Sequence, residues 1–588
     1  MTENRHRRLR RARPVVALAA VTFAIGAIFG AQHGASPAST LARQFVTAWT
    51  HGDYRTMYGE IDAASQREIS ASQFAAAYQQ ALTVATARRL DVAGRPRRSA
   101  AVVAVPVQIH TRLFGTLSLD FALQVIESAE DGPRVRWSRS LAFPGLRHGE
   151  LLSRRTTLPR RATLLARDGS VLAESTAEAS SQSGEATRSS PLGEAARAVL
   201  GTVGPVPASR LTQLEAQGVP AQATVGLTGL ERALDERLRG SPGGELLAGR
   251  RLLAYAAPHA APAVHTTVSP ALQSAAVSAL GGQLGGIVAM QPSSGQILAV
   301  AGIGLEGLQP PGSTFKMVTL TGALAAHIAT PRTVFPYASY ATLDGVKLNN
   351  ANGENCGGTL ELAFAVSCNS VFTPLGVKLG AARLVAMAER FGFNHDPGVP
   401  GAAESTLPAA SAIQGELDVG STAIGQGEVL ATPLQMASVA ASIADDGRRP
   451  TPSFLPAKTS GSGVGVTSAS VARTVRHLMI GVVRFGTGTA AAIPGVTVAG
   501  KTGTAELKTP CSPASEASRR ESGESSKEPA CQSSESEASN TDAWFAAFAP
   551  ALHPRIVVCV LLVKDGAGGT TAAPVARQVL EAGLRAGV

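Results

Sequence analysis

The chain has 588 residues, more than a single hydrophobic core usually organises, and this length predicts two to four domains. With 44% apolar and 16% charged residues, it has the composition of a globular protein, which excludes a wholly disordered chain. The net charge of +10 does not indicate a nucleic-acid-binding face, because half of it comes from six arginines and one glutamate among residues 1–13. Nucleic acid is therefore not an expected partner.

An uncharged apolar run at 14–31 is just long enough to cross the hydrocarbon core of a membrane as a helix. The arginines before it predict a cytoplasmic tail, residues 1–13, with everything after the run exported. A cleaved signal peptide is the alternative interpretation, because small residues lie near the end of the run. The length of the run favours an uncleaved, single-pass anchor in the cell membrane.

Residues 38–145 predict a small α+β domain, because a segment with helical spacing is followed by segments that alternate like paired strands. His110 and Asp120 are isolated in it and are interpreted as solvated or locally bonded. Residues 146–262 have mixed character, with Ser- and Ala-rich stretches and one charged helix, and predict a spacer or docking element. Neither segment contains a predicted catalytic constellation.

Residues 263–588 are more apolar and more regular than the rest. The runs GGIVAM and GQILAVAG, separated by QPSSG, predict a β-hairpin, and several helices follow. The chain ends with three strand-like runs, VTVAGKTGTAEL, AWFAAFAP and RIVVCVLLVKD, and a last helix. Strands at both ends with helices between them predict an antiparallel sheet that joins the two ends of this segment.

The sharpest local feature is Ser313-Thr314-Phe315-Lys316, directly after Pro-Pro-Gly. The proline pair and the glycine predict a helix start, so that Ser313 lies in the first turn and Lys316 shares its face. A lysine in a partly dry cleft can have its pKa lowered enough to take the proton of a serine hydroxyl. The sequence therefore predicts a serine nucleophile with a lysine base, although an N-cap serine beside a surface lysine would give the same tetrapeptide.

Two further elements extend this hypothesis. Ser367-Cys368-Asn369 is predicted near the middle of a helix, and Lys501-Thr502-Gly503 on an alternating strand. Glycine weakens a strand unless something approaches its backbone closely, and a substrate peptide added as a further β-strand would do so. S-x-x-K, S-x-N and K-T-G together, in this order, form the signature of penicillin-binding proteins and class A β-lactamases, with Cys368 where the usual pattern has Asp.

Beyond these motifs, GIVAMQPSSGQILAVAG, GQGEVLATPLQMA and GTGTAAAIPGVTVAGKTGTAE resemble the transpeptidase domain of class B penicillin-binding proteins over 263–588. The segment 146–262 is similar to the dimerisation or pedestal domain of that family, and 38–145 resembles the NTF2-like N-terminal domain of MecA-type members. The resemblance implies an α+β multidomain fold, peptidoglycan stem peptides as substrates, covalent inhibition by β-lactams and no cofactor. No glycosyltransferase-like domain is recognised, so a separate glycan polymerase is the expected partner.

The resemblance also implies a role for each motif residue. Ser313 would be the acyl-accepting nucleophile and Lys316 its base, and Ser367 with Lys501 would relay a proton to the departing D-alanine. The remaining positions would bind the donor peptide or form the oxyanion hole: Asn369, Thr502, Gly503 and Thr504.

Two alternatives from other functional classes stay open. The same site could hydrolyse its substrate, as in a D,D-carboxypeptidase or a serine β-lactamase, although such enzymes need neither pedestal nor anchor. The chain could instead be a β-lactam sensor or a non-catalytic scaffold of the cell wall. Intact Ser313, Lys316 and Lys501 disfavour a dead site, and the absence of a recognised signalling domain disfavours a sensor.

The sequence has five cysteines, and no Cys/His spacing in it is typical of a metal site. Cys559 lies in an apolar strand-like run and is predicted to be a small buried residue. Cys511 and Cys531 stand near the two ends of a Ser- and Glu-rich excursion, 507–540, and are predicted to pair in an oxidising compartment. Cys356 and Cys368 could form a second bridge. Mass spectrometry of a non-reduced digest should detect the 511–531 crosslink, and two thiols that alkylate without reductant would contradict it.

Overall fold

The computed structural model describes residues 36–128, 132–175, 188–456, 463–506 and 540–588. The described residues form two compact units. The first comprises those of Met1–Arg160, Pro205–Ala223 and Arg239–Ala260, and the second those of Arg161–Gly204, Thr224–Leu238 and Ala261–Val588. The segment 146–262 thus contributes to both units, and the predicted domain boundaries stay a prediction.

The first unit begins with four helices and an antiparallel sheet in the order β1-β3-β4-β5, with β2 also paired to β3. Helix α1 starts where Ser36 caps it, since the serine hydroxyl accepts from the N–H of Ser39 and Pro37 fills a position that needs no donor. The elements are α1 (Pro37–Thr50), α2 (Tyr54–Gly59), α3 (Ala63–Glu68), α4 (Ala71–Val84), β1 (Ala87–Val92), β2 (Arg97–Ser99), β3 (Val102–Thr111), β4 (Thr116–Ser128) and β5 (Gly132–Arg136).

Alternate residues of β3 face the core of this unit, as the sequence predicted. The core is aromatic: Trp49 and Phe121 pack edge to face with ring centroids 5.0 Å apart, and the indole N–H of Trp137 donates to the hydroxyl of Tyr78 at 3.2 Å. A second, three-stranded sheet in the order β13-β12-β6 and one helix complete the unit. Numbered along the whole chain, these are β6 (Leu152–Thr157), α6 (Ala208–Ala216), β12 (Gly243–Ala248) and β13 (Arg251–Ala256).

The second unit opens with short elements around a buried ion network. The guanidinium of Arg161 donates to Glu231 at 2.6 Å and to Asp235 at 2.8 Å, and Arg188 donates to Glu231 at 2.7 Å. Because these charges are almost wholly buried, removing one partner would leave the others uncompensated. The elements are β7 (Leu164–Leu165), β8 (Val171–Ser175), β9 (Arg188–Ser189), α5 (Glu194–Leu200), β10 (Val203–Pro205), β11 (Thr224–Gly226), α7 (Gly229–Ala233), α8 (Asp235–Arg239) and β14 (Val264–His265).

A five-stranded antiparallel sheet in the order β16-β15-β25-β24-β23 forms the centre of the second unit. Its first two strands come from the start of the 263–588 segment and its last three from the end, which confirms the predicted hairpin and the predicted joining of the two ends. The strands are β15 (Gly285–Met290), β16 (Ile297–Gly302), β23 (Ala499–Glu506), β24 (Thr541–Ala549) and β25 (Ile556–Leu562).

Both faces of this sheet are buried, which explains why β15, β16, β24 and β25 are apolar without alternation. Ile287 and Ala289 of β15 belong to one hydrophobic core, whereas Val288 and Met290 belong to another on the opposite face.

The helices of this part of the unit are α9 (Pro270–Leu280), α10 (Lys316–Ala325), α11 (Leu360–Ala365), α12 (Asn369–Leu379), α13 (Ala381–Arg390), α14 (Gly415–Ala423), α15 (Pro433–Ala444), α16 (Ala469–Arg484) and α17 (Ala572–Arg585). The small strands are β17 (Val334–Ala338), β18 (Tyr340–Leu343), β19 (Val346–Asn349), β20 (Cys356–Thr359), β21 (Arg448–Arg449) and β22 (Val464–Gly465).

The predicted tail at 1–13 and the predicted anchor at 14–31 lie outside the described residues. Within the described ranges, no single helix combines the length and hydropathy needed to cross a membrane. Helices α12 and α13 meet the criteria only as a pair, with a bend of 98° between them.

Candidate active site

Ser313 lies at the start of the helix that carries Lys316. Gly312–Phe315 form a 3-10 turn, and α10 continues from it. The turn needs glycine at position 312, because φ there is +49° and a Cβ atom would lie 2.7 Å from the carbonyl oxygen of Thr504. The loop before Ser313 is therefore pressed against β23, and Ser313 itself is half-buried.

The amine of Lys316 is fully buried among acceptors from the S-x-N element. Its Nζ donates to the carbonyl oxygen of Ser367 at 2.6 Å and to Oδ1 of Asn369 at 2.6 Å, with Ser367 Oγ 3.4 Å away. A neutral amine has two N–H donors and one lone pair, so the two short contacts use both donors and leave the lone pair for a proton. Among the described residues, Lys316 makes no hydrogen bond to the Ser313 hydroxyl, so the two residues share a helix start without a direct bond.

The prediction that Ser367 lies near the middle of a helix is wrong. Helices α11 and α12 are separate, and Ser367 between them has a left-handed φ of +62°. Its N–H donates to the carbonyl of Phe364 at 3.1 Å, and the N–H of Cys368 donates to that of Ala363 at 2.8 Å. Such paired bonds around a left-handed residue are the usual way in which a helix ends. The break takes the Ser367 hydroxyl out of helical geometry and places it beside two lysine amines.

A disulfide joins Cys356 of β20 to Cys368, with their Cα atoms 5.9 Å apart. It settles the pairing that the sequence left open, and it ties the middle residue of the S-x-N element to a neighbouring strand.

Cys559 is free and buried, which confirms the prediction for it, and burial raises the pKa of its thiol above the usual range. Cys511 and Cys531 lie outside the described residues, and their pairing stays a prediction.

Lys501 reaches the same serine from β23. Its Nζ donates to Ser367 Oγ at 2.8 Å and to the carbonyl oxygen of Thr502 at 3.0 Å. The Ser367 hydroxyl thus lies between two buried amines, Lys316 on one helix and Lys501 on a strand 134 residues away in the sequence from Ser367. One hydroxyl proton in contact with two amines is an arrangement that can pass a proton from one group to another.

Burial controls the charge of both amines. Desolvation, and then repulsion by Lys501, lowers the pKa of Lys316 well below its usual value of 10.5. Desolvation lowers the pKa of Lys501 to about 7. Each amine also lies 5.5 Å from the centre of an aromatic ring, Phe372 for Lys316 and Phe364 for Lys501. Burial therefore favours the neutral form of both amines, and Lys501 is partly protonated near neutral pH.

The K-T-G segment lies on the predicted strand, and its glycine is needed for packing. A Cβ atom at Gly503 would lie 2.8 Å from the carbonyl oxygen of Pro311, next to the Ser313 turn. The sequence instead predicted the approach of a substrate strand, which would come to the edge of β23. In the described part of the sheet, β23 pairs with β24 alone and forms the end of the sheet. Thr504 Oγ1 is 3.4 Å from the N–H of Gly568.

Thr487, which belongs to none of the predicted motifs, also joins the site. Its Oγ1 lies 2.6 Å from Oγ1 of Thr502. It follows α16 in the segment Gly-Thr-Gly-Thr, and only a run of small residues before the K-T-G strand could have drawn attention to it.

A cavity of about 890 Å³ opens beside Asn369. It is bordered by β19, α14 with the loop after it, and the adjoining ends of β23 and β24, and its charged lining residues are Lys347, Asp418, Glu428 and Glu506. Of the predicted site residues, Asn369 alone lines this cavity. Among the described residues, no group of three His, Cys, Asp or Glu side chains could hold a metal ion.

Three family models match the chain. The penicillin binding protein transpeptidase domain matches residues 285–581, the penicillin-binding protein dimerisation domain residues 181–249, and the NTF2-like N-terminal transpeptidase domain residues 37–150. The transpeptidase match alone spans half of the chain, and it contains every motif residue of the site.

Known proteins agree with these models. The peptidoglycan D,D-transpeptidase PbpA of Mycolicibacterium smegmatis is 34% identical over 436 residues, covering 61% of this chain and 80% of that protein. The crystal structure of PBPA from Mycobacterium tuberculosis matches with a TM-score of 0.56 and 28% identity, over 72% of this chain and 99% of that one. A ceftriaxone acyl-enzyme complex of the same protein matches with a TM-score of 0.55 and 28% identity, over 72% and 98%. The chain therefore belongs to the penicillin-binding protein transpeptidases.

Proposed function

We infer that this chain is a peptidoglycan D,D-transpeptidase that works through an acyl-enzyme on Ser313. The observation that carries this inference is the Ser367 hydroxyl between the buried amines of Lys316 and Lys501, beside the turn that presents Ser313. Two relatives support this inference: PbpA of Mycolicibacterium smegmatis, which is named a peptidoglycan D,D-transpeptidase, and PBPA of Mycobacterium tuberculosis, whose structure includes a ceftriaxone acyl-enzyme.

Acylation is the first chemical step of the proposed mechanism. Ser313 Oγ attacks the carbonyl carbon of the penultimate D-alanine of a donor stem peptide, while the neutral amine of Lys316 accepts its proton. Charge then develops on the carbonyl oxygen, and the backbone N–H groups of Ser313 and Thr504 stabilise it. Desolvation of Lys316 favours its neutral form, which is the form that a base requires.

Departure of the terminal D-alanine breaks the peptide bond, and the leaving amine needs a proton. Ser367 supplies it, and its hydroxyl is reprotonated from Lys316 or Lys501, both of which it contacts. Asn369 holds the donor peptide by hydrogen bonding to an amide, and Thr502 binds the terminal carboxylate. An amine of a second stem peptide then attacks the ester, which forms the cross-link and frees Ser313.

A β-lactam follows the same path up to the ester. Its ring opens as Ser313 attacks, but the leaving amine remains tethered to the acyl group. β-Lactams are accordingly expected to be covalent inhibitors of this chain.

The cavity beside Asn369 would accommodate the second peptide, since Asn369 also holds the donor peptide.

Product analysis tests the proposed activity against its hydrolytic alternative. The purified full chain, given a pentapeptide donor and a stem peptide with a free side-chain amine, should yield a cross-linked peptide with release of one D-alanine. Mass spectrometry distinguishes this product from a trimmed tetrapeptide. Trimmed product alone would indicate a D,D-carboxypeptidase, and no product with either peptide would favour a sensor or scaffold.

We also propose a single-pass anchor at 14–31, a cytoplasmic tail at 1–13 and an extracytoplasmic catalytic domain. The charge and hydropathy of the first 31 residues support this topology. Protease added to cells stripped of their wall should then remove the bulk of the chain, and full protection of the C-terminal domain would contradict the orientation.

The proposed domain boundaries are 38–145 for the NTF2-like domain, 146–262 for the dimerisation or pedestal domain and 263–588 for the transpeptidase domain. The three family matches, each of which lies mainly in one of these ranges, support them.

Cross-linking requires glycan strands to join, so a glycan polymerase is the proposed partner. Copurification of such a polymerase with the membrane-bound chain would test this partnership.

A further inference from the structure

The threonine assigned to carboxylate binding is itself held by a second threonine. Thr487 Oγ1 is 2.6 Å from Thr502 Oγ1 and 3.4 Å from the carbonyl oxygen of Ala365, to which the backbone N–H of Thr487 also donates at 3.0 Å. Ala365 is the last residue of α11, directly before the turn that contains Ser367. Thr487 therefore connects the K-T-G strand with the S-x-N element.

Each hydroxyl can donate only one hydrogen bond, so the hydroxyls of Thr487 and Thr502 can be arranged in two ways. In the first, Thr502 donates to Thr487, and Thr487 donates to the Ala365 carbonyl. In the second, Thr487 donates to Thr502, and the Thr502 proton is free for another acceptor. Only the second arrangement offers a hydroxyl proton to a carboxylate.

The second arrangement is easy to reach. It gives up only the 3.4 Å contact with Ala365, which is long for a hydrogen bond from a hydroxyl, and Ala365 keeps the backbone N–H of Thr487 as its donor. A carboxylate accepts a stronger hydrogen bond than a neutral carbonyl does. An anionic ligand at Thr502 would therefore favour the second arrangement.

We propose that Thr487 is a positioning residue that directs the Thr502 hydroxyl proton toward the terminal carboxylate of the donor peptide. This inference rests on the proposed function, in which Thr502 binds that carboxylate. Thr487 acts through Thr502 and does not touch the reacting bond. Thr487 is exposed, and its side-chain hydroxyl contacts Thr502 Oγ1 and the carbonyl oxygen of Ala365.

Thr487→Val tests the proposal, because valine keeps the shape of threonine and the backbone bond to Ala365 while removing the hydroxyl. Acylation of the full chain by benzylpenicillin should become about tenfold slower, the effect of weakening one hydrogen bond to a charged group. Thr487→Ser should restore the rate. Thr489→Val is the matched control, since Thr489 is an exposed threonine two residues away whose side chain makes no hydrogen bond within the described residues.

The methyl ester of benzylpenicillin separates positioning from a structural role, because the ester has no negative charge at the carboxyl group. Thr487→Val should react with the ester as fast as the wild type does, and should unfold at the same temperature. Equal slowing with acid and ester, no rescue by serine, or a lowered unfolding temperature would each overturn the role of Thr487. A wild-type chain that neither reagent acylates would instead contradict the proposed function.

Discussion

Replacing Ser313 with alanine is expected to abolish covalent labelling by a fluorescent penicillin, with a loss of more than about a thousandfold in acylation rate. The hydroxyl oxygen is the atom to which the acyl group bonds, so no neighbouring group can replace it. The fold should be unaffected, because Ser313 is half-buried and its side chain makes no hydrogen bond within the described residues. Gel fluorescence and the mass of the acylated protein measure the effect.

Ser278→Ala provides the matched control for this experiment. Ser278 is an exposed serine on α9 of the same unit, so the same atom is removed far from the proposed chemistry. Its labelling should equal that of the wild type. Persistent labelling of Ser313→Ala, located on another serine by peptide mapping, would refute the assignment of the nucleophile.

Local sequence patterns predicted the parts of the fold that depend on neighbouring residues. The hairpin of β15 and β16 followed from two apolar runs around a turn, and the strand that carries Lys501 followed from its alternation. The start of the helix at Ser313 could be predicted because Pro-Pro-Gly stands before it. These features need no knowledge of distant residues, and the structure contains them as predicted.

The S-x-N turn could not be predicted in this way. Residues 361–373 contain neither glycine nor proline, and their apolar spacing continues through the turn, which favours a helix. The left-handed backbone of Ser367 is unfavourable for a non-glycine residue. Distant residues stabilise it: Lys316 donates to its carbonyl oxygen at 2.6 Å, and Cys356 is bonded to the adjacent Cys368.

The convergence of side chains in the site also depends on tertiary structure. Ser367 and Lys501 meet across 134 residues, and Thr487 reaches Ala365 across 122. Motif order indicated that Ser367 and Lys501 share a site, but no motif contained Thr487. Its contact follows from the close packing of the segment after α16 against β23, which neither periodicity nor spacing encodes.

Replacing Lys316 with alanine should lower the acylation rate by at least about a hundredfold, because a serine hydroxyl without a base keeps its proton at neutral pH. Lys316→Met, which fills more of the buried volume, should be similarly slow and separates loss of the amine from loss of packing. Lys378→Ala is the control, since Lys378 is an exposed lysine on α12. Either Lys316 variant acylating at the wild-type rate would exclude this residue as the base.

The pH dependence of acylation should report both amines. The rate should rise with pH as Lys316 loses its proton, at a pH well below 10.5. It should fall near pH 7 as Lys501 loses the proton that it can pass to Ser367, together with the charge that attracts an anionic ligand. Lys501→Gln removes that charge but keeps an N–H donor. The falling limb should then disappear.

In Lys501→Gln, the rising limb of the pH profile of acylation should also move to higher pH. Repulsion by Lys501 is one of the two causes that lower the pKa of Lys316, so without it Lys316 holds its proton more firmly and becomes a base only at higher pH. Rates of penicillin acylation measured from pH 5 to 9 on both proteins would show the shift. A rising limb at the same pH in both would mean that burial alone sets the pKa of Lys316, and that the two lysines do not act as a coupled pair.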